Sequence, residues 1–219
     1  MKKGFALLIL FLTATQALAQ GKILLVNDSL HLVYWTTDTS RLFPQDAGLA
    51  GHAYVLGDGN QTLTIELWAG TSSSALSLVA STDFLGQPSA GRWGSKTVTL
   101  PTPAGSTFFQ IDIYDAAAGS FFLAETTPGH YVGQTPIFMA IAGNGIGYPS
   151  IVNHNPPVNS TWADGTFNLD SLSPGYRGAI ELGLPIPEPG SFGLALLAFA
   201  ILLLHHSHRM RHDSVLSGK

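Results

Sequence analysis

Thr62-Leu63-Thr64-Ile65-Glu66-Leu67 and Phe109-Gln110-Ile111-Asp112-Ile113-Tyr114-Asp115 are the two stretches that decide the fold. In both of them, polar and apolar residues alternate with a period of two. Successive side chains of a β-strand point to opposite faces of its sheet. The alternation therefore predicts two strands, each with one face directed to a core and the other directed away from it.

Further short strands are predicted on both sides of these stretches. They are separated by residues that form turns, mainly glycine and proline. The predicted segments are 23–26, 30–35, 76–80, 96–100, 121–124, 137–141 and 176–182. Eight or nine short strands without an amphipathic helix predict an all-β fold, a single antiparallel β-sandwich of jelly-roll or immunoglobulin-like type, over residues 20–184.

The composition of this central region excludes several classes of function. Between the two terminal segments the chain has five basic and twelve acidic residues, a net charge of −7, so nucleic acid is not an expected partner. The chain has no cysteine, which rules out disulfide bonds, thiolate metal sites and a cysteine nucleophile. We expect no cofactor and no metal.

The N-terminal segment has the organisation of a secretory signal peptide. Lys2 and Lys3 precede an apolar run, and Ala17 and Ala19 are small residues at the two positions that signal peptidase recognises. We expect cleavage after Ala19, so that residues 1–19 are removed. The alternative is an uncleaved membrane helix, but the apolar run is too short to span a bilayer unaided.

The C-terminal segment combines three features in a fixed order. Pro187-Glu188-Pro189 is followed by the uncharged, mostly apolar residues 191–204, and then by a cluster of histidine and arginine that includes Arg209 and Arg211. Fourteen helical residues reach ~21 Å, short of the ~30 Å hydrocarbon core, so we expect a transmembrane helix over residues 190–206 that uses its flanks. The basic cluster places residues 213–219 in the cytoplasm as a short tail, and the central domain outside.

This order of features over residues 185–212 resembles the PEP-CTERM sorting signal of exported bacterial proteins. The resemblance implies that an exosortase, a membrane-embedded protease, cleaves near Pro187, Glu188 and Pro189 after transient anchoring in the inner membrane. The protein would then be released or transferred to the cell surface or the extracellular matrix. The alternative is a plain anchor that is never cut. Ile65–Gly70 and residues 109–117 also resemble a sandwich domain that recurs in such proteins, which supports the fold only.

One group of residues is a candidate binding site. If Leu63, Ile65 and Leu67 face the core, Glu66 and Trp68 face away, and Asp112 and Tyr114 do so on the second strand. Aromatic rings beside carboxylates can stack on a sugar ring and form hydrogen bonds to it. We therefore consider a possible glycan contact at these four residues. The alternative is ordinary packing under a loop or an edge strand.

No catalytic site is expected. The sequence has no G-x-S-x-G motif, and no pair of carboxylates can be assigned to glycoside hydrolysis. Asp58-Gly59-Asn60 predicts a turn rather than a calcium loop. The histidines of the central region lack metal-binding spacing: His31, His52, His130 and His154.

The sequence favours a non-catalytic surface or matrix protein of structural or interaction type. Its expected processing partners are signal peptidase and an exosortase. The first alternative is a module that binds envelope exopolysaccharide, and the second is a secreted hydrolase.

Overall fold

A computed structural model describes residues 20–84, 90–145, 148–152, 160–162 and 178–186. The predicted signal peptide, the Pro187-Glu188-Pro189 motif, the predicted transmembrane helix and the tail lie outside these residues. Among the residues described, no helix is long and apolar enough to cross a membrane. The chain divides into two compact units, Met1–Pro185 and Ile186–Lys219.

The described part of the first unit is an all-β fold with little helix. Its strands are β1 Gln20–Leu25, β2 Val33–Trp35, β3 Leu63–Gly70, β4 Ser77–Asp83, β5 Lys96–Pro103, β6 Gly105–Asp115, β7 Val132–Gln134, β8 Phe138–Ala142 and β9 Ile180–Leu182. One α-helix within the described residues, α1, spans Phe121–Thr126. Short 3-10 helices occupy Thr39–Arg41, Pro44–Leu49, Asp58–Asn60 and Ala116–Ala118.

The central sheet is built around β6, the longest of the described strands. Its strand order is β4-β3-β6-β7, and β8 also pairs with β6. The C-terminal part of β6 pairs with β7, and its N-terminal part pairs with β8. Between β7 and β8, Pro136 has no N–H to donate, and the Thr135 hydroxyl accepts a hydrogen bond from the Ile111 N–H at 2.9 Å. Two short strands thus share one edge of β6, with a shift of register between them.

Two smaller strand pairs complete the described fold. Strand β1 pairs antiparallel with β5, whereas β2 pairs with β9 in parallel. The prediction of a purely antiparallel arrangement is therefore wrong at β2 and β9. These two strands are adjacent in space but lie near opposite ends of the domain's sequence, so no hairpin turn requires them to run antiparallel.

The predicted inner faces of the two deciding stretches are confirmed. Leu63, Ile65 and Leu67 of β3 and the inner residues of β6 are fully buried in one hydrophobic core. Residues of β1 and β5 join the same core: Ile23, Leu25, Val98 and Leu100. Alternation with a period of two therefore identifies the core-facing residues of both strands.

The structure corrects the sequence prediction for residues 121–132. Phe121–Thr126 is a helix rather than a strand, because the Ser120 hydroxyl accepts a hydrogen bond from the Leu123 N–H at 3.2 Å and caps the first turn. Strand β7, six residues after α1, was not predicted, since three residues are too few to show a period.

Candidate functional site on the outer face of the central sheet

The outer face of the central sheet brings the four predicted contact residues together. Glu66 on β3 lies directly opposite Asp112 on β6, and Asp112 lies opposite Gln134 on β7. Trp68 and Tyr114 occupy neighbouring positions on the same face, one to each side of the carboxylate pair. Directly opposed side chains have Cβ atoms ~5 Å apart, so two carboxyl groups meet at the centre of this face.

Three of the four residues on this face are buried. Glu66 is 8 % exposed, and Asp112 and Tyr114 are each 5 % exposed, while Trp68 is partly buried. Helix α1 covers Tyr114, whose ring centroid lies 6.4 Å from that of Phe121. The packing alternative therefore describes Tyr114, which shares a buried cluster with Ala124 of α1.

The two carboxyl groups receive hydrogen bonds, and none of the described basic residues forms an ion pair with them. The Tyr114 hydroxyl donates to Glu66 Oε1 at 3.0 Å, and Gln134 Nε2 donates to Asp112 Oδ1 at 2.9 Å. The ion pairs between described residues lie elsewhere in the fold and involve Asp28, Asp115 and Glu181. Two like charges thus face each other across adjacent strands, an arrangement that destabilises a sheet when both are ionised.

The surroundings of Asp112 make its proton hard to remove. Burial raises the pKa of Asp112 to about 6, and the charges of Glu66 and Glu125 add to this rise. The hydrogen bond from Gln134 opposes this rise. Trp68 Nε1 is buried and completes no hydrogen bond with a described residue. Burial also raises the pKa of Tyr114 to about 12, so its hydroxyl remains a donor to Glu66 at neutral pH.

Asp112→Asn should stabilise the protein at pH 7.5 by about 1–2 kcal/mol, because it removes a buried charge. The pKa of Asp112 is higher in the folded chain, about 6, than its ordinary value of 3.8, so the folded state binds this proton more tightly. The stability that the parent chain gains from binding this proton is therefore fully present below about pH 4 and is lost as pH rises through about 6. Urea unfolding at pH 7.5 and pH 3.5 measures it, with the gain expected only at pH 7.5.

Asp83→Asn is the matched control for this prediction. Asp83 lies on the exposed edge strand β4, and its substitution should change stability by less than about 0.5 kcal/mol. An equal gain from both variants, or a gain from Asp112→Asn that is the same at the two pH values, would contradict the assignment of the effect to the Glu66 and Asp112 pair.

Glu66 and Asp112 have the chemistry of a catalytic acid–base pair, but a substrate in solution does not reach them. Two neighbouring carboxyl groups in different environments can act as proton donor and acceptor. Hydrolysis of a glycoside requires that both reach the two sides of a sugar bond. Here Glu66 and Asp112 are both more than nine-tenths buried, so a sugar ring does not reach them in this conformation.

Three of the other polar residues considered from the sequence, Asp58, His31 and His130, have structural contacts, and His154 lies outside the described residues. The Asp58-Gly59 turn is confirmed: Asp58 Oδ2 accepts a hydrogen bond from the Val55 N–H at 2.8 Å, and Gly59 has a φ of 61°. His130 Nδ1 lies 2.8 Å from Asp115 Oδ2, and His31 is buried against the ring of Trp162. Within the described ranges, no three His, Asp or Glu side chains are grouped so that they could hold a metal ion.

One buried polar contact was not foreseen from the sequence. The Tyr131 hydroxyl donates to Asp46 Oδ2 at 2.7 Å and accepts from the Phe43 N–H at 2.9 Å. Asp46 lies in a 3-10 helix and is buried, yet Tyr131 is 85 positions away in the chain. No local pattern in the sequence indicates that these two residues meet.

The predicted processing residues lie outside the described part of the chain. These are Ala17 and Ala19 at the signal peptidase site, Pro187, Glu188 and Pro189 of the sorting motif, and the basic residues Arg209 and Arg211. Comparison of the chain with family models, curated proteins and solved structures finds no match.

Proposed function

We propose that this chain is an exported bacterial surface or matrix protein of non-catalytic type, which is anchored briefly in the inner membrane and then cut by an exosortase. One observation carries the proposal: Pro187-Glu188-Pro189, a short apolar stretch and a basic cluster follow one another at the C-terminal end. Proline is disfavoured inside a regular helix, so the sequence of this motif favours an extended segment that a protease can reach.

The division of the chain supports this proposal. The first compact unit ends at Pro185, two residues before the sorting motif. Every residue of the main hydrophobic core precedes that point. A cut near Glu188 would therefore leave the described core intact, as release of a folded domain requires.

We also propose that the all-β domain is a two-layer sandwich. The inner faces of β3 and β6 and the buried residues of β1 and β5 belong to one core, as expected for two sheets that pack face to face. The parallel pairing of β2 with β9 is a departure from the fully antiparallel jelly-roll and immunoglobulin-like patterns.

The other two functions considered from the sequence are not proposed. A glycan-binding face needs aromatic and polar groups that are open to solvent, and Glu66, Asp112 and Tyr114 are buried. A hydrolase needs an accessible carboxylate pair, and the burial of Glu66 and Asp112 removes the support for that alternative as well.

Replacement of Pro187-Glu188-Pro189 by three alanines should stop processing. In cells that contain an exosortase, we expect the parent chain to be shortened and to leave the inner membrane, whereas the variant remains uncut in the membrane fraction. The measurement is an immunoblot of cell fractions with an antibody against the β-rich domain.

Pro185→Ala is the matched control, because it removes a nearby proline without touching the motif. It should be processed like the parent chain, and a strain without exosortase should leave the parent uncut. If the triple variant is shortened as efficiently as the parent, or if deletion of the exosortase has no effect, the proposal is wrong.

A further inference from the structure

Helix α1 presents two large apolar side chains to solvent. Phe122 is 69 % exposed and Leu123 is 48 % exposed, whereas the next residue, Ala124, is fully buried against the sheet. Exposure of this apolar surface to water costs free energy, and contact with another apolar phase would remove that cost.

The chain leaves the domain beside this helix. Val132 packs in one buried cluster with Ala124 of α1, and it also pairs with Gly183 through two backbone hydrogen bonds of 2.9 and 3.0 Å. Leu184 is then fixed by Arg41, whose backbone oxygen accepts from the Leu184 N–H at 2.8 Å and whose Nε donates to the Leu184 oxygen at 3.0 Å. Strand β7 is thus the only described element between the last residues of the domain, Gly183 and Leu184, and the buried face of α1 at Ala124.

The tether from this point to the apolar stretch is short. Six residues, 185–190, separate Leu184 from the start of that stretch at Ser191. Fully extended, the seven steps from Leu184 to Ser191 reach at most ~25 Å. If residues 191–204 are in a bilayer, Leu184 therefore lies within about that distance of the bilayer surface.

We propose that in the uncut precursor α1 rests on the outer surface of the lipid bilayer, with Phe122 and Leu123 inserted at the boundary between headgroups and acyl chains. This inference rests on the membrane anchoring in the proposed function. The exposed carboxylate of Glu125 on the same helix remains among the headgroups, which limits the depth of α1. Other exposed apolar side chains lie on other segments: Val55, Leu56, Ile137, Met139 and Ile141. Those around β8 border the N-terminal part of β6, whereas Val132, beside the tether, pairs with Tyr114 in its C-terminal part.

The contact depends on the tether. Two partly inserted side chains bind a membrane too weakly to hold a free domain. Even a single myristoyl chain, which buries more apolar surface, gives only marginal and reversible binding. The covalent tether converts the contact into an intramolecular one at high effective concentration. Cleavage near Glu188 removes the tether, so the contact should be lost when the domain is released.

Fluorescent probes at single cysteines test this inference, and the absence of native cysteine makes the labelling specific. The uncut chain is reconstituted into phosphatidylcholine vesicles with a polarity-sensitive label at one of three positions. Thr126→Cys lies one turn after Phe122 on the same face of α1. Ser74→Cys lies in the exposed turn that follows the C-terminal end of β3, whereas α1 lies near the N-terminal end of that strand. Leu197→Cys reports on the apolar stretch.

We expect a blue shift and quenching by nitroxide lipids at positions 126 and 197 but not at 74. Phe122→Ser should abolish the signal at 126 and leave that at 197 unchanged, with an unaltered circular dichroism spectrum because Phe122 is exposed. A label at 126 that stays in water while the one at 197 is inserted overturns the contact alone, as does a signal at 126 that survives Phe122→Ser. A label at 197 that stays in water overturns the anchoring and, with it, this inference.

Discussion

Trp35→Ala is expected to lower the free energy of unfolding by about 3–5 kcal/mol, the usual cost of removing a fully buried tryptophan. Trp35 lies on β2 with none of its surface exposed. Its ring centroid is 4.8 Å from that of Tyr131 and 5.6 Å from that of Tyr54. Alanine would leave a cavity between these rings, and the backbone of β2, paired with β9, cannot close it without breaking strand contacts.

Urea unfolding followed by far-ultraviolet circular dichroism measures this loss. Phe122→Ala is the matched control, because it also removes a large aromatic side chain but one that is mostly exposed. The control should change stability by less than about 0.5 kcal/mol. If Trp35→Ala costs no more than the control, the aromatic contacts around Trp35 do not form part of the core.

The strands of the central sheet could be predicted from the sequence because their pattern is local. Leu63, Ile65 and Leu67 alternate with polar residues, and a period of two is visible without any knowledge of the partner strand. The same pattern predicts which side chains face away from the core. It does not show whether a second element covers those side chains, which is why the sequence left both a glycan contact and ordinary packing open for Glu66 and Asp112.

The features that the sequence did not predict depend on contacts between distant residues. Residues 121–124 have the apolar composition of a strand, and only the Ser120 cap and the packing of Ala124 on the sheet make them a helix. The parallel pairing of β2 with β9 joins residues 147 positions apart in the chain. Composition carries no information on such pairings. The sequence therefore could not predict that α1 packs over Tyr114, or that the domain ends with β9 paired to β2.

Tyr131→Phe is expected to lower the free energy of unfolding by about 2–4 kcal/mol, although it removes a single oxygen atom. That oxygen is the donor to Asp46 Oδ2 and the acceptor of the Phe43 N–H. Asp46 is buried, so its carboxylate would lose a partner that water does not readily replace. Burial raises the pKa of the Tyr131 hydroxyl above its ordinary value, and the hydrogen bond to Asp46 and the charge of Asp46 add to this rise.

Tyr54→Phe separates the loss of a buried charge partner from the loss of an ordinary hydrogen bond. Tyr54 is as deeply buried as Tyr131, but its hydroxyl donates to a neutral acceptor, the backbone oxygen of Gln61 at 2.9 Å. Urea unfolding at pH 7.5 should therefore show a loss of about 1 kcal/mol for Tyr54→Phe and a loss at least twice as large for Tyr131→Phe. Equal losses would mean that Asp46 finds another partner or water in the variant, and that Tyr131 is held by its ring contacts with Trp35 and Phe43 rather than by its hydroxyl.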